Sequence, residues 1–163
     1  MRKTFDSLRY TISRKATDEG GYIGGSSAVE IQLPKGSFRK GKDVDVYFRQ
    51  QGKVESFAPK ILNIARSHYE RRGMNPNRIV LEKAKSHIKV IDTVAKKDIA
   101  DIGFRSVHEK TVRVNGIRAR DYRQIARDKR AIIRCENKNS PKYKKAYMDI
   151  KLINRAEKSG RLF

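Results

Sequence analysis

The chain has 163 residues, with 39 Lys and Arg against 18 Asp and Glu, giving a formal charge of +21 and a mean hydropathy of −0.76. That excess goes beyond what solubility requires and makes the chain self-repelling until a polyanion neutralises it, nucleic acid first and an anionic membrane surface second. One cysteine excludes an internal disulfide or a cysteine-built zinc site, and the lack of an unbroken apolar run speaks against a signal peptide in residues 1–25 or a membrane span, so a soluble, cytoplasmic protein is expected.

Apolar residues make up 37% of the chain and fall in periodic segments, which argues for a folded domain rather than a solvated polyelectrolyte. Leu8, Tyr10 and Ile12 alternate with polar neighbours as in a half-buried strand. Residues 18–27 are glycine-rich and read as a turn. Val29, Ile31 and Leu33 suggest a second strand ended by Pro34, and Val44, Val46 and Phe48 a third, so the first 50 residues read as an antiparallel meander. From Ser56 to Arg72 the period changes to helical, with Phe57, Ile61, Ile64, Ala65 and His68 on one face and Gly73 placed to end the helix. Residues 79–81 and 88–91 read as strands, 96–102 as a short helix, 111–120 as a hairpin and 121–130 as a helix. Residues 131–135, including Cys135, and 148–153 read as further strands. The expected class is α+β, with mostly antiparallel sheet and two or three short helices, in a single domain over 1–163 whose lobes could meet near residue 75.

Asn115-Gly116 between alternating runs is a strong hairpin signal. A two-residue turn pairs Arg113 with Arg118 and Thr111 with Arg120, and puts Arg113, Arg118 and Arg120 on one face. Like charges directly opposite one another point to an anion or to carboxylates at that face. Asp121 can cap the next helix, whose Arg123, Arg127 and Arg130 share an exposed face. From Lys110 to Lys145 there are 13 basic and 3 acidic residues, a net +10. Lys142, Tyr143, Lys144 and Lys145 read as a basic loop whose tyrosine could stack on an unpaired base.

Residues 36–42 match the phosphate-loop pattern G-x-x-x-x-G-K, but Asp43 stands where Ser or Thr would bind magnesium, and a strand follows instead of a helix. A nucleoside triphosphatase of that type is excluded, leaving a basic loop with Phe38, Arg39, Lys40 and Lys42 as candidate contacts. The three histidines show no metal or catalytic spacing, and no metal or cofactor is expected. Asp149-Ile150-Lys151 and Glu30-Ile31-Gln32 faintly echo metal-nuclease patterns.

Val112-Arg113-Val114-Asn115-Gly116 resembles the strand-turn piece of S4-type RNA-binding domains, with Lys110 in place of that family's glycine. Gly21-Tyr22-Ile23-Gly24 is similar to the GXXG loop of KH domains, with Asp18 and Glu19 close before it. In size, basicity and overall character the chain resembles the small basic RNA-binding proteins of large-genome, nucleus-forming bacteriophages, of the chimallin C type. That resemblance implies binding of phage messenger RNA in the host cytoplasm.

Together these readings lead to the expectation of a non-catalytic RNA-binding protein of broad specificity, contacting phosphates through the fourteen basic and aromatic residues named above. DNA is the second partner, membranes are not expected, and the oligomeric state is open. The alternatives are a DNA-packaging or structural nucleoprotein component and a metal-dependent nuclease.

Overall fold

The computed structural model describes residues 6–160. Its elements in chain order are α1 (Ser7–Asp18), β1 (Tyr22–Gly24), α2 (Gly25–Gln32), β2 (Val44–Phe48), α3 (Gln51–Arg71), a 3-10 turn (Pro76–Arg78), β3 (Ile79–Lys83), β4 (His87–Asp92), β5 (Lys97–Phe104), β6 (Thr111–Val114), β7 (Ile117–Arg120), α4 (Tyr122–Cys135) and α5 (Pro141–Lys158). The class is α+β as expected. The seven strands form one sheet in the order β3-β4-β5-β2-β1-β7-β6. That sheet is mixed, because β2 runs parallel to β5 and β1 parallel to β7 while the other neighbours are antiparallel.

The amino-terminal meander is not present. Leu8, Ile12 and Ala16 are buried at helical spacing in α1, so the short alternation around Tyr10 was the start of a four-residue repeat. Asp6 caps that helix, its side chain accepting from the Arg9 amide. Residues 28–32 are all buried, and a helix buried on every side carries no period that could separate it from a strand. Of residues 96–102, expected as a helix, Lys96 closes a turn and the rest form strand. The register steps from Val90↔Ala100 to Ile91↔Asp98, leaving Ile99 as a bulge, so the three-residue spacing of Ile99 and Ile102 imitates a helical one. Residues 131–135 continue α4, and residues 148–153 lie within α5, which opens on Ser140 as cap and Pro141 in the first turn. Cys135 is exposed at the end of α4.

Other elements follow the sequence closely. The helix expected from Ser56 begins five residues earlier, at Gln51, and ends with Gly73 at φ +73°. The hairpin has the expected register, Arg113↔Arg118 and Thr111↔Arg120, across Asn115 at φ 53° and Gly116 at φ 76°. Gln32 joins α2 to the β7–α4 junction, donating to the Arg120 carbonyl at 2.7 Å and accepting from the Tyr122 amide at 3.0 Å.

Val44, Val46 and Phe48 point to one face of the sheet, where α1 and α3 pack over them, with Phe48 against Phe57 at 4.8 Å between ring centroids. Asp92 is 1% exposed on this side and accepts from Arg78 Nε at 2.8 Å, from Tyr69 Oη at 2.8 Å and from the Val94 and Ala95 amides at 3.0 Å. Burial alone would raise its carboxyl, but these donors outweigh burial and hold it well below the usual carboxylate range. A depressed carboxyl stabilises the fold above its unfolded pKa, and that contribution is lost as pH falls below about 4. Asp92→Ala is expected to cost about 3 kcal/mol in urea unfolding at pH 7, and the loss should shrink in acid.

Candidate active site

The opposite face of the sheet gathers the polar side chains. In β2, the residues alternating with the buried Val44 and Val46 are Asp43, just before the strand, Asp45 and Tyr47, all half-buried. Parallel pairing sets Asp101 of β5 beside Asp45, and antiparallel pairing sets Gly24 of β1 on its other side. Parallel pairing of Ile23 with Ala119 carries the row on to Arg120 of β7. One strip therefore reads Lys89, Asp101, Asp45, Gly24, Arg120 and Thr111, and the next His87, Gly103, Tyr47, Tyr22, Arg118 and Arg113. Side chains directly across neighbouring strands share a face, so carboxylates and arginines occupy one surface.

The carboxylates crowd one another. Burial first, and then the charges of Asp43 and Asp101, push the Asp45 carboxyl up to about 7, with a partial offset from Lys145. Asp43 is raised by burial and by Asp98 and Asp101. Asp101 is met by His87, whose Nδ1 lies 2.7 Å from Oδ1. Lys89 bonds Asp98 at 3.2 Å. Among the described residues no three His, Cys, Asp or Glu side chains are gathered closely enough to enclose an ion, so the carboxylates form an open row rather than a cage.

Glycine is required beside that row. A Cβ on Gly25, at φ +59°, would lie 2.1 Å from Asp45 Oδ2, and one on Gly24 would lie 2.5 Å from the Tyr47 ring. The Gly24-Gly25-Ser26 turn thus runs its backbone against the Asp45 carboxylate and the Tyr47 ring as it opens α2. Ser27 Oγ donates to the Asp43 carbonyl at 2.6 Å and ties that turn to the approach of β2.

Beyond Tyr47, Arg105 lies over its ring at 4.6 Å and pairs with Glu109. Burial and the charge of Asp45 push the Tyr47 hydroxyl up to about 12. Tyr22 is 3% exposed, its hydroxyl has no hydrogen-bond partner among the described residues, and its ring lies 5.7 Å from Tyr47 and 5.8 Å from the Arg118 guanidinium.

The structure brings some of the expected binding residues to this face and commits others elsewhere. Arg113 is exposed and Arg118 is half-buried, bonded to Thr111 at 2.9 Å. Arg120 is held internally by Glu109 at 2.5 Å and Asp128 at 2.8 Å. Arg123 and Arg127 are exposed on α4, and Arg130 reaches Asn154 on α5 at 3.1 Å. Lys142, Tyr143, Lys144 and Lys145 lie in the first turns of α5 and not in a loop. Tyr143 stacks on Tyr147 at 6.1 Å, and Lys142 meets Glu136 at 3.6 Å. Phe38 is buried, so this candidate contact belongs to the core. Arg39 is bonded to Asp149 and Ser26, while Lys40 and Lys42 are exposed. Neither nuclease-like pair stands free, since Asp149 is buried against Arg39 and Lys129, and Glu30 accepts from Arg9 and the Gly41 amide.

Asp43, Asp45 and Asp101 were missed. In the sequence Asp43 stands out only as the residue that spoils a phosphate loop. The available signal was Asp43-Val44-Asp45, two carboxylates on one face of a strand in a strongly basic chain.

No protein-family model matches the chain, and no curated protein matches it. Among solved structures, the Megavirus polyadenylate synthase matches with a TM-score of 0.65 over 92% of this chain at 13% identity. The chain spans 30% of that protein's length. Two Helicobacter pylori proteins are more distant: JHP933 (TM-score 0.49, 14% identity, 81% of this chain and 56% of that one) and a second described as an inferred nucleotidyltransferase (0.45, 15%, 75% and 54%). The fold is thus of the polyadenylate synthase kind. This corrects the resemblance to phage RNA-binding proteins of the chimallin C type. The S4-like hairpin is the edge of this sheet, and the KH-like glycines lie in and beside β1, leading into α2. It also corrects the expectation of a non-catalytic RNA binder, because the protein that shares this fold is described as a polyadenylate synthase. No helix among the described residues is long and apolar enough to cross a membrane.

Proposed function

We propose that this chain carries the catalytic centre of a nucleotidyltransferase, which moves a nucleoside monophosphate from a nucleoside triphosphate to the terminal hydroxyl of a polynucleotide, RNA foremost. The observation that supports it is the strip Asp43, Asp45 and Asp101 beside the Gly24-Gly25-Ser26 turn. The polyadenylate synthase likeness agrees with it.

In this reading the donor's phosphates lie against the start of α2, where backbone amides and the Ser26 hydroxyl can face them, and the glycines allow the close approach. Asp45 is half-buried among like charges and no donor among the described residues bonds it, a state that a divalent cation relieves. Its hard oxygen neighbours Asp43 and Asp101 suit magnesium or manganese, and because the open row does not enclose an ion by itself, the donor's phosphates would complete the ligand set begun by these carboxylates. Bound there, the metal supplies charge stabilisation for the transferring phosphoryl group. Lys145, whose charge acts on Asp43 and Asp45, counters phosphate charge from the α5 side.

The acceptor oxygen forms a bond to the α-phosphorus, the bond to the bridging oxygen of the β-phosphate breaks, and pyrophosphate leaves. Asp101, oriented by His87, takes the acceptor's proton. Arg113 and Arg118, with the exposed cations of α4 and α5, hold the acceptor's backbone without reading its sequence.

Incubation with magnesium or manganese, each nucleoside triphosphate in turn and single-stranded RNA, single-stranded DNA or duplex DNA tests this reading. Time-dependent lengthening of RNA is expected. No lengthening of any acceptor with any nucleotide would overturn it.

A further inference from the structure

Arg39 lies between α2 and β2 and turns inward. Its Nε and Nη2 donate to Asp149 Oδ1 and Oδ2 at 2.7 and 3.0 Å, and Nη2 also donates to Ser26 Oγ at 2.6 Å. Asp149, in α5, is fully buried and takes Lys129 Nζ of α4 at 2.9 Å. Burial would raise this carboxyl, but Arg39 and Lys129 hold it low. One buried carboxylate therefore fastens α5, α4 and the segment carrying Arg39, and Arg39 passes that anchorage to the turn beside Asp45.

The direction of the Arg39–Ser26 bond matters. A guanidinium has no acceptor, so Ser26 must accept, and its own O–H is left to donate elsewhere. A hydroxyl otherwise rotates among several wells, and the guanidinium removes that freedom on one side. We propose that Arg39 is a positioning residue, which, anchored by Asp149, fixes the Ser26 hydroxyl as a hydrogen-bond donor to the phosphates of a nucleoside triphosphate. This rests on the nucleotidyltransferase reading. Arg39 touches no reacting atom and acts through Ser26.

The test is ATP binding by calorimetry with magnesium and no acceptor. Arg39→Lys keeps a positive charge against Asp149, but a point-like ammonium cannot grip the carboxylate with two bonds and Ser26 with a third. It should keep its melting transition and bind ATP about tenfold more weakly. Ser26→Ala should weaken binding by a similar factor, and the double variant should be no weaker than Ser26→Ala alone, because both changes remove one interaction. Should Arg39→Lys fail to fold, Asp149→Asn replaces it in the same cycle. Wild-type affinity in the anchor variant, or losses that simply add in the double, would overturn the role of Arg39 and leave the nucleotidyltransferase reading intact. No binding of any of the four nucleoside triphosphates by the wild-type protein would overturn both.

Discussion

Asp45→Asn is expected to lower nucleotide transfer by roughly two to three orders of magnitude or more while making the fold more stable at neutral pH and above. The two effects share one cause. Burial and like-charged neighbours push the Asp45 carboxyl up to about 7, so the folded protein resists its ionisation. A carboxyl raised above its unfolded value binds more protons in the folded state, so stability falls as pH rises from about 4 through 7. That loss amounts to at most about 4 kcal/mol at pH 8, and the neutral amide escapes it. Thermal melts should therefore nearly coincide for the two proteins near pH 4 and separate at pH 8, with Asp45→Asn melting higher. Magnesium should raise the wild-type midpoint at pH 8 and have less effect on the variant, since a ligand stabilises only the state that binds it. A variant that melts lower at pH 8 would mean that ionised Asp45 is satisfied within the fold, and the strip would lose its claim to a metal.

Arg113→Gln with Arg118→Gln is expected to raise the KM for an RNA acceptor by over tenfold while changing the KM for the nucleotide little. These side chains face each other on the hairpin, two and three strands beyond Tyr47, or about 10 and 14 Å by strand spacing. They thus lie on the surface of the carboxylates but outside reach of the transferring phosphate. Two lost phosphate contacts on a single strand should flatten the salt dependence of acceptor binding by about 1.4 in log–log slope. The fold should hold, because relieving two like charges across a pair is favourable. Arg120 is left intact because Glu109 and Asp128 depend on it. A control pair, Lys83→Gln with Lys85→Gln, removes the same charge from the far end of the sheet. Equal loss from both pairs would show that net charge alone binds the acceptor and that the hairpin is no site.

Elements whose signal is local could be read from the sequence. The β2 alternation, the apolar stripe of α3, the register across Asn115-Gly116 and the Asp121 cap each depend on residues a few positions apart. Failures came where burial erased the period, as in α2, or where the Ile99 bulge disguised it. The site was illegible for a different reason. Asp45 meets Asp101 only through a parallel pairing that spans α3 and two strands, and no short window contains it. The basic face was recognised from Arg113, Arg118 and Arg120, but not that it continues into the carboxylate strip, which needs the β1–β7 pairing. Sequence alone marks Arg39 as a phosphate contact and Asp149 as a nuclease echo. They are instead one part-buried pair, joined across 110 positions.

A surface that transfers a nucleoside monophosphate to a polynucleotide hydroxyl reveals itself in the fate of the phosphorus. With ATP labelled at the α-phosphorus, magnesium and single-stranded RNA, the label should move into the RNA, and with ATP labelled at the γ-phosphorus it should appear only in pyrophosphate. Asp45→Asn, folded by its melting transition, should do neither. Label from the γ-position in the RNA, free phosphate in place of pyrophosphate, or transfer undiminished in Asp45→Asn would contradict the account.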